Sequence, residues 1–411
     1  MGKIVIIGGG TAGTMIANKL YKTLPVHEWE ITIVDPDEKH YYQPGFLFIP
    51  FNKKLKDKFV KPKKDYIPKG VNFIVDKVSK LEPARKAVLL KSGQELTYDY
   101  LIVATGTKPS VDDTPGLNGP LWQKEAFEFY TYEGAVALAE KLETWKGGRM
   151  VMAIVDMPIK CPVAPLEFVF LADAFFTQKG IRDKVEISYV TPLPGAFTKP
   201  VATAKLSELL SSKNINIIQD FYIEHVDNEG KKLVSYDEKE VPFDLLVTVP
   251  LNKGAEFIQN SGIGDDLNYI PVNKETLQMQ QYPEIFVLGD AAAIPTSKAG
   301  AVAHFAADVL LENLLDMIEG KEPTAKFDGH ANCFIETGFG KAALIDFNYD
   351  QEPLAGTFPL PVIGPMSLLK ETRLNHWGKL AFEWIYWNIL IKGRYLPISN
   401  KMSMVGKKIS K

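Results

Sequence analysis

The chain has 411 residues, 46% hydrophobic and 24% charged, with a formal net charge of −3. That length admits two or three domains, and the near-balanced charge excludes a global field aimed at nucleic acid. Its two cysteines, Cys161 and Cys333, are too few for a secreted disulfide scaffold, and no run of about 20 apolar residues exists to span a bilayer.

Lys3–Ile7 reads as a buried strand, and a first strand this close to Met1 leaves no expected leader segment. Gly8, Gly10 and Gly13 follow in G-x-G-x-x-G spacing, then a helix over Ala12–Leu24 and a strand over Ile31–Val34 ending in Asp35. Strand, glycine turn, helix, strand and acid make a dinucleotide-binding fingerprint. Gly8, Gly10, Thr11, Ala12 and Gly13 are expected to cradle a pyrophosphate at the helix N-terminus, and Asp35 to accept from ribose hydroxyls. Tyr41–Leu47 is an apolar loop carrying Pro44. A strand from Tyr100 ends in Ala104-Thr105-Gly106, and another from Ile285 ends in Gly289-Asp290 before a helix over Ala299–Ile318.

Between these lies a second α/β unit. Its strands are read at Val151–Val155, Val185–Val190, Asn216–Gln219 and Lys232–Ser235, and its helices at Thr131–Thr144, Ala164–Gln178 and Thr203–Ser211. Its first turn, Asp156–Pro162, has no glycine, and Val185–Val190 ends in Thr191-Pro192 with no carboxylate for a ribose. Both features argue against NAD(P)H. Cys161 stands just before the helix, where the dipole favours thiolate. The six histidines show no metal-ligand spacing, so no metal site is expected. From Met366 to Lys411 the charge balance is +7, leaving −10 on the remainder. Leu368–Leu374, Trp377 and Leu380–Ile391 mix Trp, aliphatic and basic residues, as interfacial helices do. This tail is expected to meet an anionic membrane surface.

The Ala104-Thr105-Gly106 and Gly289-Asp290 segments, in this order after the fingerprint, resemble those of the flavoproteins with two dinucleotide-binding domains. The resemblance implies FAD, with Asp290 on the ribityl chain. Cys161-Pro162-Val163-Ala164-Pro165-Leu166-Glu167 resembles the C-x-x-A-P-x-E segment of sulfide:quinone oxidoreductases and of flavocytochrome c sulfide dehydrogenases. Cys333 matches the second cysteine of those families, and Tyr42-Gln43-Pro44 their loop against the flavin ring. Lys298 matches a family lysine near the isoalloxazine and the quinone carbonyl.

What the resemblance implies is a sulfide:quinone oxidoreductase. Hydrosulfide would be oxidised at a Cys161/Cys333 pair with help from Glu167 and Lys298, and the electrons would pass through FAD to a membrane quinone. FAD would be held by Gly8, Gly10, Thr11, Ala12, Gly13, Asp35, Pro44, Val78, Ala104, Thr105, Gly106, Gly289, Asp290 and Lys298, and the quinone by Phe334, Phe347 and Phe358. The implied fold is α/β: an FAD-binding Rossmann-like domain (1–110 and 241–320) and an inserted second one (111–240) with its NAD site lost. A flavin- and quinone-side region (321–365) and an amphipathic membrane-binding tail (366–411) complete it. The chain is then peripheral to the cell membrane, on the cytoplasmic face by default, with homo-oligomerisation left open. Many sulfide:quinone oxidoreductases carry a further cysteine upstream of the Cys161 position; residues 112–131 contain none, which excludes a thioether to FAD through it. A type II NADH:quinone dehydrogenase, a flavocytochrome c-type sulfide dehydrogenase and a non-catalytic thiol sensor are the alternatives.

Overall fold

The computed structural model describes residues 1–360, 364–396 and 398–408. The expected regions 321–365 and 366–411 therefore each include a few residues outside the described ones.

The first unit contains β1 (Gly2–Ile7), α1 (Thr11–Thr23), β2 (Trp29–Val34), β3 (Asn72–Ile74) and β4 (Tyr100–Val103). The second contains β5 (Ala126–Phe127), α2 (Tyr132–Thr144), β6 (Gly148–Ile154), α3 (Ala164–Gln178), β7 (Val185–Val190), α4 (Pro200–Ser212), β8 (Ile215–Ile218) and β9 (Leu245–Val249). The chain returns to the first unit with β10 (Ile285–Val287) and α5 (Gly300–Ile318). It closes with β11 (Ala331–Gly338), β12 (Lys341–Phe347), β13 (Gly356–Leu360), β14 (Gly364–Leu368) and α6 (Arg373–Ile385).

The first sheet runs β10-β4-β1-β2-β3 and is parallel throughout. Its inner strand β4 and edge strand β10, and β1 from Ile4 on, are continuous apolar runs, as in a parallel sheet covered on both faces. The strand order reverses beside β1, and a doubly wound sheet takes its ligand at that point. The three motif turns, after β1, β4 and β10, all lie at this carboxyl edge. The second sheet, β5-β9-β6-β7-β8, is likewise parallel. The third is a mixed sheet, β11-β12-β14-β13.

Three expectations are corrected. The boundary at residue 241 moves later, because β9 is the second strand of the second sheet; its five residues are all buried, as suits a central parallel strand. Lys232–Ser235 is a strand but belongs to a separate antiparallel meander with Ile223–Asp227 and Glu240–Pro242. Its alternating burial marks a strand covered on one face only. Leu368 ends β14 and is not part of an interfacial helix. The tail helix starts at Arg373, where the Thr372 hydroxyl caps it by accepting from Asn375 N at 3.0 Å.

Candidate functional site

The turn after β1 is built around close backbone approach. A Cβ on Gly13 would stand 1.7 Å from Gly8 O, so α1 can sit on β1 only with glycine there. Gly10, which precedes α1, faces open space, as do Gly106 after β4 and Gly300 at the start of α5. These three positions outline a cradle that any side chain would fill. Thr11 and Ala12 open α1 above it. Asp35 Oδ2 accepts from Gly9 N at 2.6 Å, while Oδ1 accepts from Asp37 N at 2.8 Å and pairs with Lys63 Nζ at 2.7 Å. An ionised carboxylate has about four acceptor directions, so one remains for a ribose hydroxyl.

The turn after β4 contributes the buried hydroxyls of Thr105 and Thr107, neither with a hydrogen-bond partner. Buried polar atoms are normally satisfied, and two orphans beside an open cradle fit a polar ligand. Ala104 N donates to Ile7 O at 2.8 Å and Leu288 N to Val103 O at 2.9 Å, which fixes the turns beside one another. Among the described residues the Asp290 carboxylate has no hydrogen-bond donor. Burial pushes its pKa up, against the pull of Lys298 and Lys160. An extended cradle with a helix N-terminus at the first turn, a ribose acid, two free hydroxyls and a free carboxylate fits FAD. Pro44 lies in the first turn of the helical loop Gln43–Phe51, whose Phe51 packs on Phe168 and Phe175 of α3. Val78 is buried with Val5, Ile7 and Val34.

Cys161 and Cys333, 172 positions apart, come into one neighbourhood because α3 packs on β11. Both are free thiols. Cys161 adopts a left-handed φ of 49°, rare for a side-chain-bearing residue. That bend lets Cys161 N donate to Lys298 O at 2.6 Å, while its own carbonyl accepts from Ala164 N at 2.9 Å. Burial pushes its thiol up to about 12, and Glu167 adds to the rise; Lys379 and the Ala164 amide oppose it. This direction runs against the dipole-stabilised thiolate expected from the sequence. Cys333 is buried, and its thiol is also pushed up, first by burial and then by negative charge on Cys161.

Glu167 is near enough to both thiols for its charge to raise them. Its Oε1 accepts from Glu336 N on β11 at 2.7 Å and pairs with Lys379 of α6. Burial pushes the Glu167 carboxyl up, with Lys379 opposing. Burial would lower the Lys379 ammonium, but Glu167 and then Cys161 outweigh it, so the net shift is upward. Glu336, also raised by burial, binds His376 Nδ1 through both carboxylate oxygens at 2.9 Å. Glu336, His376 and Lys379 were missed from the sequence. The one available signal was their charge within otherwise apolar stretches.

Lys298 reaches the same region, but its ammonium donates to Asp290 O at 2.8 Å and Ala292 O at 3.0 Å and lies 4.0 Å over the Tyr269 ring. It braces the Gly289-Asp290 turn, the segment expected beside the flavin ring. The three phenylalanines divide. Strand alternation puts Phe347 on the Cys333 face of the third sheet and Phe334 on the opposite face. The β12–β14–β13 register places Phe358 on the Phe334 face, with Met366 between them. Gly378 of α6 lies against both Phe334 and Met366. Phe347 instead meets Phe197 edge-on, so it does not join the other two.

α6 presents Leu374, Trp377, Leu380 and Trp384 outward, with Trp377 62% and Trp384 63% exposed. Its other face carries Asn375, Gly378, Lys379 and Phe382. Among the described residues no helix is long and apolar enough to cross a membrane. Tyr386–Leu390 then turns inward. Tyr386 OH hydrogen-bonds Thr11 Oγ1 and His40 Nε2, each at 2.7 Å.

Residues 2–154 match the family model of pyridine nucleotide-disulphide oxidoreductases. The mitochondrial sulfide:quinone oxidoreductase of Dictyostelium discoideum is 32% identical over 406 residues, covering 96% of this chain and 86% of that one. That of Mus musculus is 26% identical over 406 residues, covering 95% and 86%. The crystal structure of the sulfide:quinone oxidoreductase from Aquifex aeolicus shares the fold, with a TM-score of 0.80 at 22% identity over 96% of this chain and 92% of that one.

Proposed function

The chain belongs to the sulfide:quinone oxidoreductase family, and from that premise we propose how its own residues carry the reaction. It is an FAD-dependent enzyme that oxidises sulfide and reduces a quinone. Bound FAD supplies the two-electron relay between the sulfur chemistry and the quinone. Gly8, Gly10, Thr11, Ala12, Gly13, Asp35, Ala104, Thr105, Gly106, Gly289 and Asp290 would hold it, with Pro44 and Val78 as apolar walls.

The observation that carries the cysteine assignment is that half-buried Cys161 and buried Cys333 share one neighbourhood with the Glu167–Lys379 ion pair. With the pair oxidised, hydrosulfide attacks one sulfur. The S–S bond breaks, a persulfide forms on the attacked cysteine, and the other leaves as thiolate. Lys379 offsets the charge of that thiolate, and Glu167 stands ready to take the proton that hydrosulfide gives up. Transfer of the outer persulfide sulfur to a second hydrosulfide leaves both cysteines reduced, and their reclosure to the disulfide gives up the two electrons that bound FAD would accept. Cys333 stays on the flavin side and Cys161 carries the outgoing sulfur. On the α6 side, Phe334 and Phe358 flank the quinone, and the Glu336–His376 pair delivers protons to its oxygens. The bulky, glycine-free turn at Asp156–Pro162 argues against nicotinamide as donor.

The exposed Trp377 and Trp384 of α6, with the basic residues around them, support peripheral seating on a membrane, from which quinone enters.

The test is anaerobic mixing with sulfide while following the flavin absorbance. Cys161→Ser and Cys333→Ser are expected to slow flavin reduction at least a hundredfold while dithionite still bleaches the flavin fully. A wild-type rate in either variant removes that cysteine from the mechanism.

A further inference from the structure

Lys160 precedes Cys161 and is buried, at 9% exposure. Its backbone is pinned: Lys160 N donates to Asn252 Oδ1 at 3.2 Å, and the residue bridges to Lys298. The side chain runs into the cradle. Nζ donates to Gln43 Oε1 at 3.1 Å and to Thr107 O at 3.5 Å, two neutral acceptors for three N–H donors.

The other buried lysines are better matched. Lys19 pairs with Asp308 at 2.6 Å and Lys63 with Asp35 at 2.7 Å. Lys298 holds two carbonyls and a ring face. Among the described residues no carboxylate pairs with Lys160 within 4.0 Å. The nearby Glu128 is taken by Thr131 and the Tyr130 amide. Burial pushes the Lys160 pKa down, with Asp290 and Glu128 opposing. A buried cation is costly unless an anion joins it. The segments converging on Nζ, at Gln43, Thr107 and Asp290, are those assigned above to the flavin.

We propose that Lys160 is a flavin-positioning residue whose ammonium is the counter-charge to the negative charge the bound ring gains on reduction. This rests on the FAD-dependent reading above. Two electrons taken up with one proton leave one net negative charge on the ring, and a desolvated cation beside it favours that state. Lys160 thereby sets the cofactor's potential and makes electron transfer from the sulfur pair more favourable.

The test compares purified holoenzyme with Lys160→Met and Lys160→Arg, reading the two-electron flavin midpoint potential by anaerobic dye-coupled titration. Lys160→Met is expected to shift the reduced-to-oxidised ratio at least tenfold toward oxidised, about 30 mV more negative. Lys160→Arg should stay within threefold of wild type. Loss of FAD from the Met variant alone would assign the Lys160 charge to cofactor binding and not to the reduced ring, which overturns the proposal. A wild-type potential in Lys160→Met overturns the proposal. Equal shifts in both variants overturn it as well, because packing would then be responsible. A slowed sulfide step at unchanged potential would instead assign Lys160 to Cys161. If the wild-type chain takes up no FAD, the FAD-dependent reading itself fails, which is a separate result.

Discussion

At the scale of single residues, Cys161 sets two effects against each other. It lies beside the N-terminus of α3, where amide dipoles favour an anion, yet it is enclosed with Glu167 and Cys333. Desolvation wins, because a helix terminus contributes about 0.3–1 kcal/mol and burial can move a pKa by several units. With a thiol near 12, the thiolate fraction rises about tenfold per pH unit through the neutral range. Iodoacetamide labelling of Cys161 in the reduced protein, read by mass spectrometry, is expected to accelerate accordingly between pH 7 and pH 9. A plateau at pH 7 would mean that the dipole prevails. The linkage has the matching sign. A folded-state pKa above the unfolded one keeps the proton on the native chain, so this contribution to stability is full below about 9 and is lost as pH rises toward about 12.

At the scale of elements, α1 and α6 do opposite things with their surfaces. α1 is buried over most of its length and offers its N-terminus to the cradle. Gly10→Val would put its Cβ into open space there, with no other atom within 4 Å. It is expected to reduce FAD content at least tenfold while far-UV circular dichroism stays unchanged; full FAD occupancy would refute the cradle. Gly13→Ala is a different experiment, since its methyl meets Gly8 O and disturbs the β1–α1 packing itself. α6 turns an apolar stripe to solvent and a polar one inward, the reverse of an ordinary surface helix. Trp377→Glu with Trp384→Glu is expected to lower binding to anionic vesicles at least tenfold in a sedimentation assay. Turnover of a water-soluble quinone should be retained. Unchanged sedimentation would leave α6 without its membrane role.

At the scale of the whole molecule, the tail ties the outer surface to the cofactor site. Beyond α6, Asn18 Nδ2 donates to Ile391 O at 3.0 Å, and Tyr386 bridges Thr11 to His40. Burial pushes His40 down to about 3, so it is a neutral hydrogen-bond partner at ordinary pH. Tyr386→Phe leaves buried His40 Nε2 and the half-buried Thr11 hydroxyl without their partner, at roughly 1–3 kcal/mol. Thermal scans are expected to show FAD fluorescence released at lower temperature in this variant, together with loss of tail packing. Release at the wild-type temperature would mean that the tail does not bear on the cofactor turn. Lys407 offers a second tie, pairing with buried Asp346, which also holds His330 at 2.8 Å.

Much of this was legible in the chain itself. The glycines at 8, 10 and 13, the acid at 35, and the Ala104-Thr105-Gly106 and Gly289-Asp290 turns are local solutions to local steric demands, so a few contiguous residues encode them. The glycine-free turn at Asp156–Pro162 was readable for the same reason, as were α3 and β7 to the residue. That Cys161 and Cys333 fall in one neighbourhood was expected from family likeness alone, because it depends on how α3 packs against β11. The same packing decided the Glu167–Lys379 and Glu336–His376 pairs. Strand alternation separated Phe347 from Phe334, and side-chain reach committed Lys298 to the Gly289-Asp290 turn while leaving Lys160 with neutral partners. Periodicity and turn chemistry are properties of neighbours along the chain. Which buried charge finds a partner is settled only where distant segments close on one another.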